Sequence, residues 1–291
     1  MFNFILVPLK WVIDSFYGLT GSYALSIVLF TLVIKLILTP LDIKQRNNMR
    51  KLTKLNPKLN VINERYANDP DKKAQKTMEL YKKEKVSPFS SCLPMLIQLP
   101  ILFAMISVMN SISYDAMMNM FLEAHAGNPM PIESFLWVRN IFQPDTITAP
   151  VFPELENLLV QLERAKNTNL VTPENLALLE AHYTTVMAPY VEQFAGYANG
   201  WSILPILAGG LQFLQTKLMP SNASADANQN KNQKMMNYMF PLMSVFFCWS
   251  FSSAFALYWV ASSVFGILSQ LLITLYYKQL DKKEEQQPQI S

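Results

Sequence analysis

TLVIKLILTPL, residues Thr31 to Leu41, ends a long apolar run in which Lys35 is the only charged residue between Ser15 and Leu41. About 20 apolar residues are enough to cross a bilayer core of roughly 30 Å, so the run predicts a transmembrane helix. A lysine at the centre of such a helix costs about 2.5 to 3.5 kcal/mol, which makes Lys35 a candidate functional residue. The alternative is that its long side chain simply reaches the nearby membrane surface.

The composition points to a membrane protein, because 51% of the 291 residues are hydrophobic and only 15% are charged. The two cysteines, Cys92 and Cys248, both lie in apolar runs, which supports neither a disulfide framework nor a zinc site. With His125 and His182 as the only histidines, there is little material for a histidine-based metal or catalytic site. The sequence contains no Gly-rich phosphate loop, GxSxG or HExxH motif. We therefore expect neither an enzyme nor a cofactor.

Apolar runs and changes of charge predict an all-α integral membrane protein with five transmembrane helices. The uncharged run from Met235 to Tyr277 would be about 65 Å long as one helix, so it must form two spans. The predicted segments are an interfacial amphipathic helix at 1–18, span 1 at 22–41, a cytoplasmic helical hairpin at 42–91, span 2 at 92–112, an exterior loop or cap at 113–200, span 3 at 201–218, a cytoplasmic loop at 219–238, span 4 at 239–253, span 5 at 255–277 and a cytoplasmic tail at 278–291.

The charge distribution predicts the orientation. Residues 42–91 carry thirteen Lys or Arg against six acids, whereas residues 113–200 carry ten acids against three basic residues. Because basic loops stay in the cytoplasm, the N-terminus is expected outside and the C-terminus inside. Asn68-Asp69-Pro70 predicts the turn of the hairpin, and Thr172-Pro173 predicts the start of a helix in the exterior loop. The basic face of the hairpin can also be a solvated surface attracted to anionic lipid.

Six motifs together resemble the YidC/Oxa/Alb membrane protein insertase family, in particular its shorter, Gram-positive-like bacterial members. In chain order they are TLVIKLILTPL at 31–41, YKKEKVSPFSSCLPMLIQLP at 81–100, FLW at 135–137, ILPILAGGLQFLQTKL at 203–218, KMMNYMFPLM at 234–243 and ALYW at 256–259. Residues 146–199 lie outside this resemblance as an insertion. The turn between the last two spans reads Ser252-Ser253-Ala254, where relatives commonly show a Pro and a Gly.

The resemblance implies a five-helix core around a hydrophilic groove, in which Lys35 stands where the family usually carries an arginine. Thr31 and Thr39, four residues on either side, would share its helical face. Further candidates for the groove lining are Gln98, Gln212, Gln215, Tyr258 and Trp259. A glutamine that bridges two helices would look the same in sequence. Candidate hairpin residues for partner contacts are Arg46, Arg50, Lys51, Lys54, Lys82, Lys83 and Lys85.

The function implied by the resemblance is the insertion and chaperoning of nascent membrane proteins, alone or with a Sec-type translocon. Membrane lipids and the ribosome, whose RNA would bind clustered lysines, are further expected partners. Two other classes stay open. The first is a solute or ion transporter or channel with Lys35 as an anion site, and the second is an assembly factor that binds finished membrane proteins without inserting them.

Overall fold

The computed structural model describes residues 3–86, 93–163, 168–218 and 227–286, with the side chains of 3–5, 93–98, 227–237, 278 and 280–286 excepted. These residues form ten α-helices and two isolated β-bridges. The helices are α1 Asn3–Thr20, α2 Tyr23–Lys54, α3 Asn56–Arg65, α4 Pro70–Lys83, α5 Leu93–His125, α6 Leu155–Glu163, α7 Pro173–Gln193, α8 Ile203–Leu218, α9 Ala227–Ser250 and α10 Ser253–Gln286.

Three segments of the described helices are long and apolar enough to cross a membrane, namely Tyr23–Lys54, Leu99–His125 and Ser253–Tyr277. The apolar part of α9, Tyr238–Ser250, is shorter. At about 1.5 Å per residue, the 16 residues of α8 reach about 24 Å, somewhat less than a bilayer core. The all-helical architecture is therefore consistent with the predicted integral membrane protein.

The chain folds as two compact units. The first unit comprises 1–33, 100–210 and 242–262, and the second comprises 34–99, 211–241 and 263–291. The core of the first unit contains Ile13, Phe30, Met109, Phe121 and Phe255, all fully buried. These residues come from α1, α2, α5 and α10, so the apolar faces of these helices contribute to the core of the first unit.

An ion pair and several hydrogen bonds join three elements of the first unit at Asp115 of α5. The carboxylate pairs with Lys10 of α1. It also accepts hydrogen bonds from the backbone N–H groups of Asn169 and Leu170, both at 2.8 Å. Charge-assisted bonds of this kind are among the stronger polar contacts in proteins. They hold residues 169 and 170, which lie between α6 and α7, against α1 and α5.

The two ends of the inserted stretch 146–199 are hydrogen-bonded to each other. The N–H of Asn199 donates to the carbonyl of Ala149 at 2.8 Å, and Pro150 forms an isolated antiparallel bridge with Ala198. Thr172 caps α7 by accepting from the N–H of Asn175, as the sequence predicts. The chain therefore enters and leaves the insertion at one place, and α6 and α7 pack on each other beyond it.

Asp145 fixes the start of α8 next to these two ends of the insertion. One carboxylate oxygen accepts from the N–H groups of Trp201 and Ser202, and the other accepts from the N–H of Leu204. The first N–H groups of a helix have no partner inside the helix, and a carboxylate also suits the positive end of the helix dipole. Asp145 thus caps α8 from 59 residues away in sequence.

The break between α9 and α10 is stabilised by the same part of the chain. Ser253 donates from both its N–H and its hydroxyl to the carbonyl of Gln143, at 2.9 and 2.6 Å. The N–H of Ala254 donates to the carbonyl of Ile141 at 2.8 Å. These long-range bonds satisfy the first donors of α10, which explains how the turn forms without the Pro and Gly common in relatives.

In the second unit, α3 and α4 form a helical pair within the segment 42–91 predicted as a hairpin, whereas residues 42–54 of that segment continue α2. Asp69 caps α4 by accepting from the N–H of Lys72 at 3.1 Å, and Pro70 occupies the first turn. Lys58 of α3 pairs with Glu84, just after α4, at 2.6 Å. Local capping and one cross-pair ion pair therefore define the two arms.

Candidate functional site

Lys35 lies in α2 within the second unit, with its side chain half-buried. The hydroxyl of Thr39 donates to the carbonyl of Lys35 at 2.8 Å, so Thr39 satisfies its own polar group within the helix. The helix does not end at Pro40, which lies inside it. Asp42 and Arg46 are consequently in the same helix as Lys35, seven and eleven residues further along. Lys35 therefore has an acidic neighbour that the sequence analysis placed in the following loop.

Arg46 and Gln215 meet at Gly266 of α10, all within the second unit. The Arg46 guanidinium donates to the carbonyl of Gly266 at 3.4 Å. A Cβ atom added to Gly266 would lie 2.6 Å from Nε2 of Gln215 in α8. Glycine at this position therefore allows a polar side chain to lie directly on the helix backbone. The result is a polar contact point among α2, α8 and α10.

Buried amide groups without protein partners lie in the same unit. Gln270, one turn beyond Gly266, is 2% exposed, and neither its oxygen nor its nitrogen has a partner among the described residues. The Nε2 of Gln45 in α2 is also buried and unpartnered within the described chain. Buried amides are costly unless they hydrogen-bond, so these groups have donors and acceptors that the described chain does not satisfy.

The end of α2 is attached to α10 by an aromatic contact. The Tyr277 hydroxyl donates to the amide oxygen of Asn47, and the Arg50 guanidinium lies 4.6 Å from the centre of the Tyr277 ring. Cations over tyrosine rings are attracted by the ring quadrupole. Arg46 and Arg50 are thus half-buried and engaged with α10. The other candidate basic residues, Lys51, Lys54, Lys82, Lys83 and Lys85, have exposed side chains.

Comparison with known proteins identifies the family. Residues 15–282 match the profile of the family described as "60Kd inner membrane protein". The chain belongs to this family. The family and the apolar helices point to a bacterial inner membrane protein. The resemblance that the sequence motifs indicate is thereby confirmed.

Several relatives carry the name "Membrane protein insertase YidC". The protein of Leptospira interrogans is 30% identical over 276 residues, which cover 94% of this chain and 34% of the relative. The protein of Actinobacillus succinogenes is 32% identical over 280 residues, covering 96% of this chain and 38% of the relative. The protein of Fusobacterium nucleatum is 29% identical over 273 residues, covering 94% and 96% respectively. The chain therefore spans about a third of some relatives and nearly all of another.

The predicted groove residues of this 60Kd inner membrane protein family member fall in different surroundings. Gln212 and Gln215 are half-buried in the second unit, together with Lys35 and Thr39. Thr31 belongs to the first unit, is 1% exposed and donates to the carbonyl of Ile27 at 2.7 Å. The Gln98 side chain lies outside the described residues.

Tyr258 and Trp259 lie in the buried aromatic core of the first unit, where Phe255 contacts both rings. The indole nitrogen of Trp259 is buried and has no hydrogen-bond partner in the part of the chain that is described. An unsatisfied indole N–H retains the capacity to donate to a polar group.

The residues of α2, α8 and α10 described above are called the polar cluster of the second unit. Three of them, Asp42, Gly266 and Gln270, are not among the residues predicted from the sequence. Asp42 follows the proline that marks the predicted end of span 1. Gly266 and Gln270 stand at i and i+4 in an uncharged run, and that spacing was an available signal for one polar helix face.

Proposed function

We propose that this chain is a membrane protein insertase and chaperone, which inserts nascent membrane proteins through a positively charged hydrophilic groove. The observation that carries the proposal is the half-buried Lys35 within an apolar helix of a chain from this family. In the proposed topology α2, α5, α8, α9 and α10 supply the five spans of a multi-pass protein, with the N-terminus outside and the C-terminus in the cytoplasm.

The mechanism follows from the energetics of a polar segment in lipid. Each unsatisfied backbone group costs several kcal/mol in hydrocarbon, so a wet groove that shortens the crossing lowers the barrier. Lys35 attracts the acidic residues of the segment that must cross. The apolar part of the substrate then enters the lipid, driven by burial of its own surface. Insertion in this scheme is a binding and partitioning process without a chemical reaction.

The polar cluster of the second unit gives the groove its proposed lining. Gln215, Gln270 and Gln45 can donate to and accept from a passing backbone, which replaces the water that the substrate loses. The exposed lysines of the hairpin and the basic residues of the tail are the proposed contacts for the ribosome. A Sec-type translocon is a further proposed partner.

Removal of the Lys35 charge tests the proposal. Lys35→Ala in liposomes should slow the insertion of a single-span substrate with an acidic outer segment by about five- to tenfold, the effect of losing an ion pair of about 1 to 1.4 kcal/mol. A substrate with a neutral outer segment should be unaffected, and Lys35→Arg should retain activity because it keeps the charge.

Lys44→Ala is the matched control, because residue 44 lies nine positions along α2 and therefore on the opposite side of the helix. The Lys44 side chain is exposed, so Lys44→Ala removes the same charge from a solvated position. Equal insertion of the acidic substrate by wild type and Lys35→Ala would disprove the electrostatic role.

A transporter or channel is the second candidate function, favoured by charges of alternating sign, Lys35, Asp42 and Arg46, on one helix. Alternating charges can guide ions through a pathway. Flux of small anions into liposomes that contain the purified chain and no substrate would establish this alternative. Insertion without such flux would rule it out.

A further inference from the structure

Three charged residues of alternating sign follow one face of α2 in the second unit. Lys35, Asp42 and Arg46 are separated by seven and four residues, and at about 100° per residue their directions fall within about 40° of one another. All three side chains are half-buried. Asp42 stands two turns after Lys35 and one turn before Arg46, so it has a cation on either side along the helix. The face therefore presents plus, minus and plus along the helix.

Asp42 carries the carboxylate among these three residues, and that carboxylate is available to a substrate cation. Arg46, one turn further along, directs its guanidinium to the carbonyl of Gly266. Among the described residues, none forms a hydrogen bond or a close ion pair with the Asp42 carboxylate. A half-buried carboxylate with no direct contact can still accept hydrogen bonds from a cation.

The distance between Asp42 and Lys35 sets the spacing of a complementary ligand. Seven residues of helix correspond to about 10 Å along the axis. A substrate segment spans that distance with about three residues when extended, or with seven when helical. A peptide that carries an acidic and a basic residue at either spacing can therefore contact both groups at once.

We propose that Asp42 is a subsite for a lysine or arginine of the substrate, positioned to act together with an acidic residue at Lys35. The inference rests on the proposed insertase function. Asp42 lies on the side of Lys35 toward the basic hairpin, so it holds the substrate cation on the cytoplasmic side. The pair of subsites then selects for orientation in the same sense as the positive-inside rule.

The test compares four versions of one single-span substrate in liposomes containing the full chain. They carry an acidic residue alone, a basic residue alone, both residues seven positions apart in the helical span, or neither. Wild type should insert the doubly charged version faster than the acidic one. Asp42→Asn should abolish this advantage, which we expect to be about fivefold for one partly solvated ion pair. Asp42→Glu should preserve it.

Asp71→Asn is the control variant, since Asp71 is an exposed acid in the first turn of α4 within the same unit. It changes the net charge equally and should leave all four insertion rates as in wild type. As a second measurement, a photo-crosslinking residue placed beside the basic position of the substrate should mark the stretch of α2 around Asp42 in wild type, and this crosslink should weaken in Asp42→Asn.

The outcomes separate the two proposals. If wild type inserts no version above protein-free liposomes, both the insertase function and the Asp42 subsite are wrong. If wild type inserts substrates and Lys35→Ala slows the acidic version, while Asp42→Asn retains the preference for the doubly charged version, only the Asp42 subsite is wrong. Equal crosslinking of the basic position to wild type and to Asp42→Asn would also overturn it.

Discussion

Replacement of Asp145 by asparagine tests the polar network that joins the insertion to α8. Asp145 is fully buried and accepts four hydrogen bonds. One oxygen accepts from the N–H groups of Trp201 and Ser202 at 2.8 and 3.1 Å, and the other from Leu204 N–H and the Trp137 indole at 2.7 and 3.1 Å.

The magnitude follows from the two bonds on one oxygen. Asparagine keeps the shape of the side chain but replaces one acceptor oxygen by an NH₂ group, which faces two donors. Each hydrogen bond to a charged group contributes about 1.5 to 3 kcal/mol, so the free energy of unfolding of the first unit should fall by at least about 3 kcal/mol. At about 2 to 4 °C per kcal/mol, Tm should drop by about 6 to 12 °C.

Thermal unfolding in detergent, followed by tryptophan fluorescence, measures this change directly because Trp137 and Trp201 contact Asp145. Glu154→Gln is the control, since Glu154 is an exposed acid in the same insertion. It should melt within about 1 °C of wild type, as is usual for surface substitutions. A Tm for Asp145→Asn equal to that of the control would refute the assignment of Asp145 as the buried cap of α8.

Two further predictions concern the second unit. Gly266→Ala should change the free energy of unfolding by less than about 1 kcal/mol, because the new methyl group displaces only the end of the flexible Gln215 side chain and alanine favours a helix by about 0.5 to 1 kcal/mol over glycine. In a double-mutant cycle, Gln215→Ala should cost less in the Gly266→Ala background than in wild type. The hydrogen bond from the Lys58 ammonium holds the pKa of Glu84 below its usual 4.5. This ion pair therefore stabilises the hairpin fully above pH 4.5, and the stabilisation is lost as the pH falls through the lowered pKa of Glu84. Titration by NMR should show the pKa of Glu84 rising in Lys58→Ala; an unchanged pKa would contradict the assignment.

Local signals made part of this fold predictable from the sequence. Asp69-Pro70 and Thr172-Pro173 were interpreted as helix starts, and both caps are present, because a capping side chain binds N–H groups only two or three residues away. The placement of Lys35 in an apolar helix followed from hydropathy alone. Both kinds of signal depend on neighbours in sequence.

Long-range contacts could not be predicted in the same way. Asp145 precedes α8 by more than 50 residues, and nothing in its immediate sequence indicates which helix it caps. Pro40 was expected at the end of the first span, yet α2 continues through it. A proline removes one hydrogen bond and bends a helix, and the helix persists when the following residues gain contacts elsewhere. Arg50 and Asn47 gain such contacts with Tyr277.

The two units differ in how many of their buried polar groups are hydrogen-bonded, although the Trp259 indole N–H of the first unit also has no partner among the described residues. In the first unit Asp145, Asn199 and Asn140 use most of their hydrogen-bonding capacity within the chain, which fixes one geometry. In the second unit Gln270 has no partner among the described residues, and Asp42 has only electrostatic neighbours. A network that is already satisfied gains nothing from a ligand, whereas unsatisfied buried amides and a free carboxylate gain hydrogen bonds when a polar segment binds. For the proposed insertase, we therefore expect most of the free energy of substrate binding to come from the residues around Lys35 and Gly266.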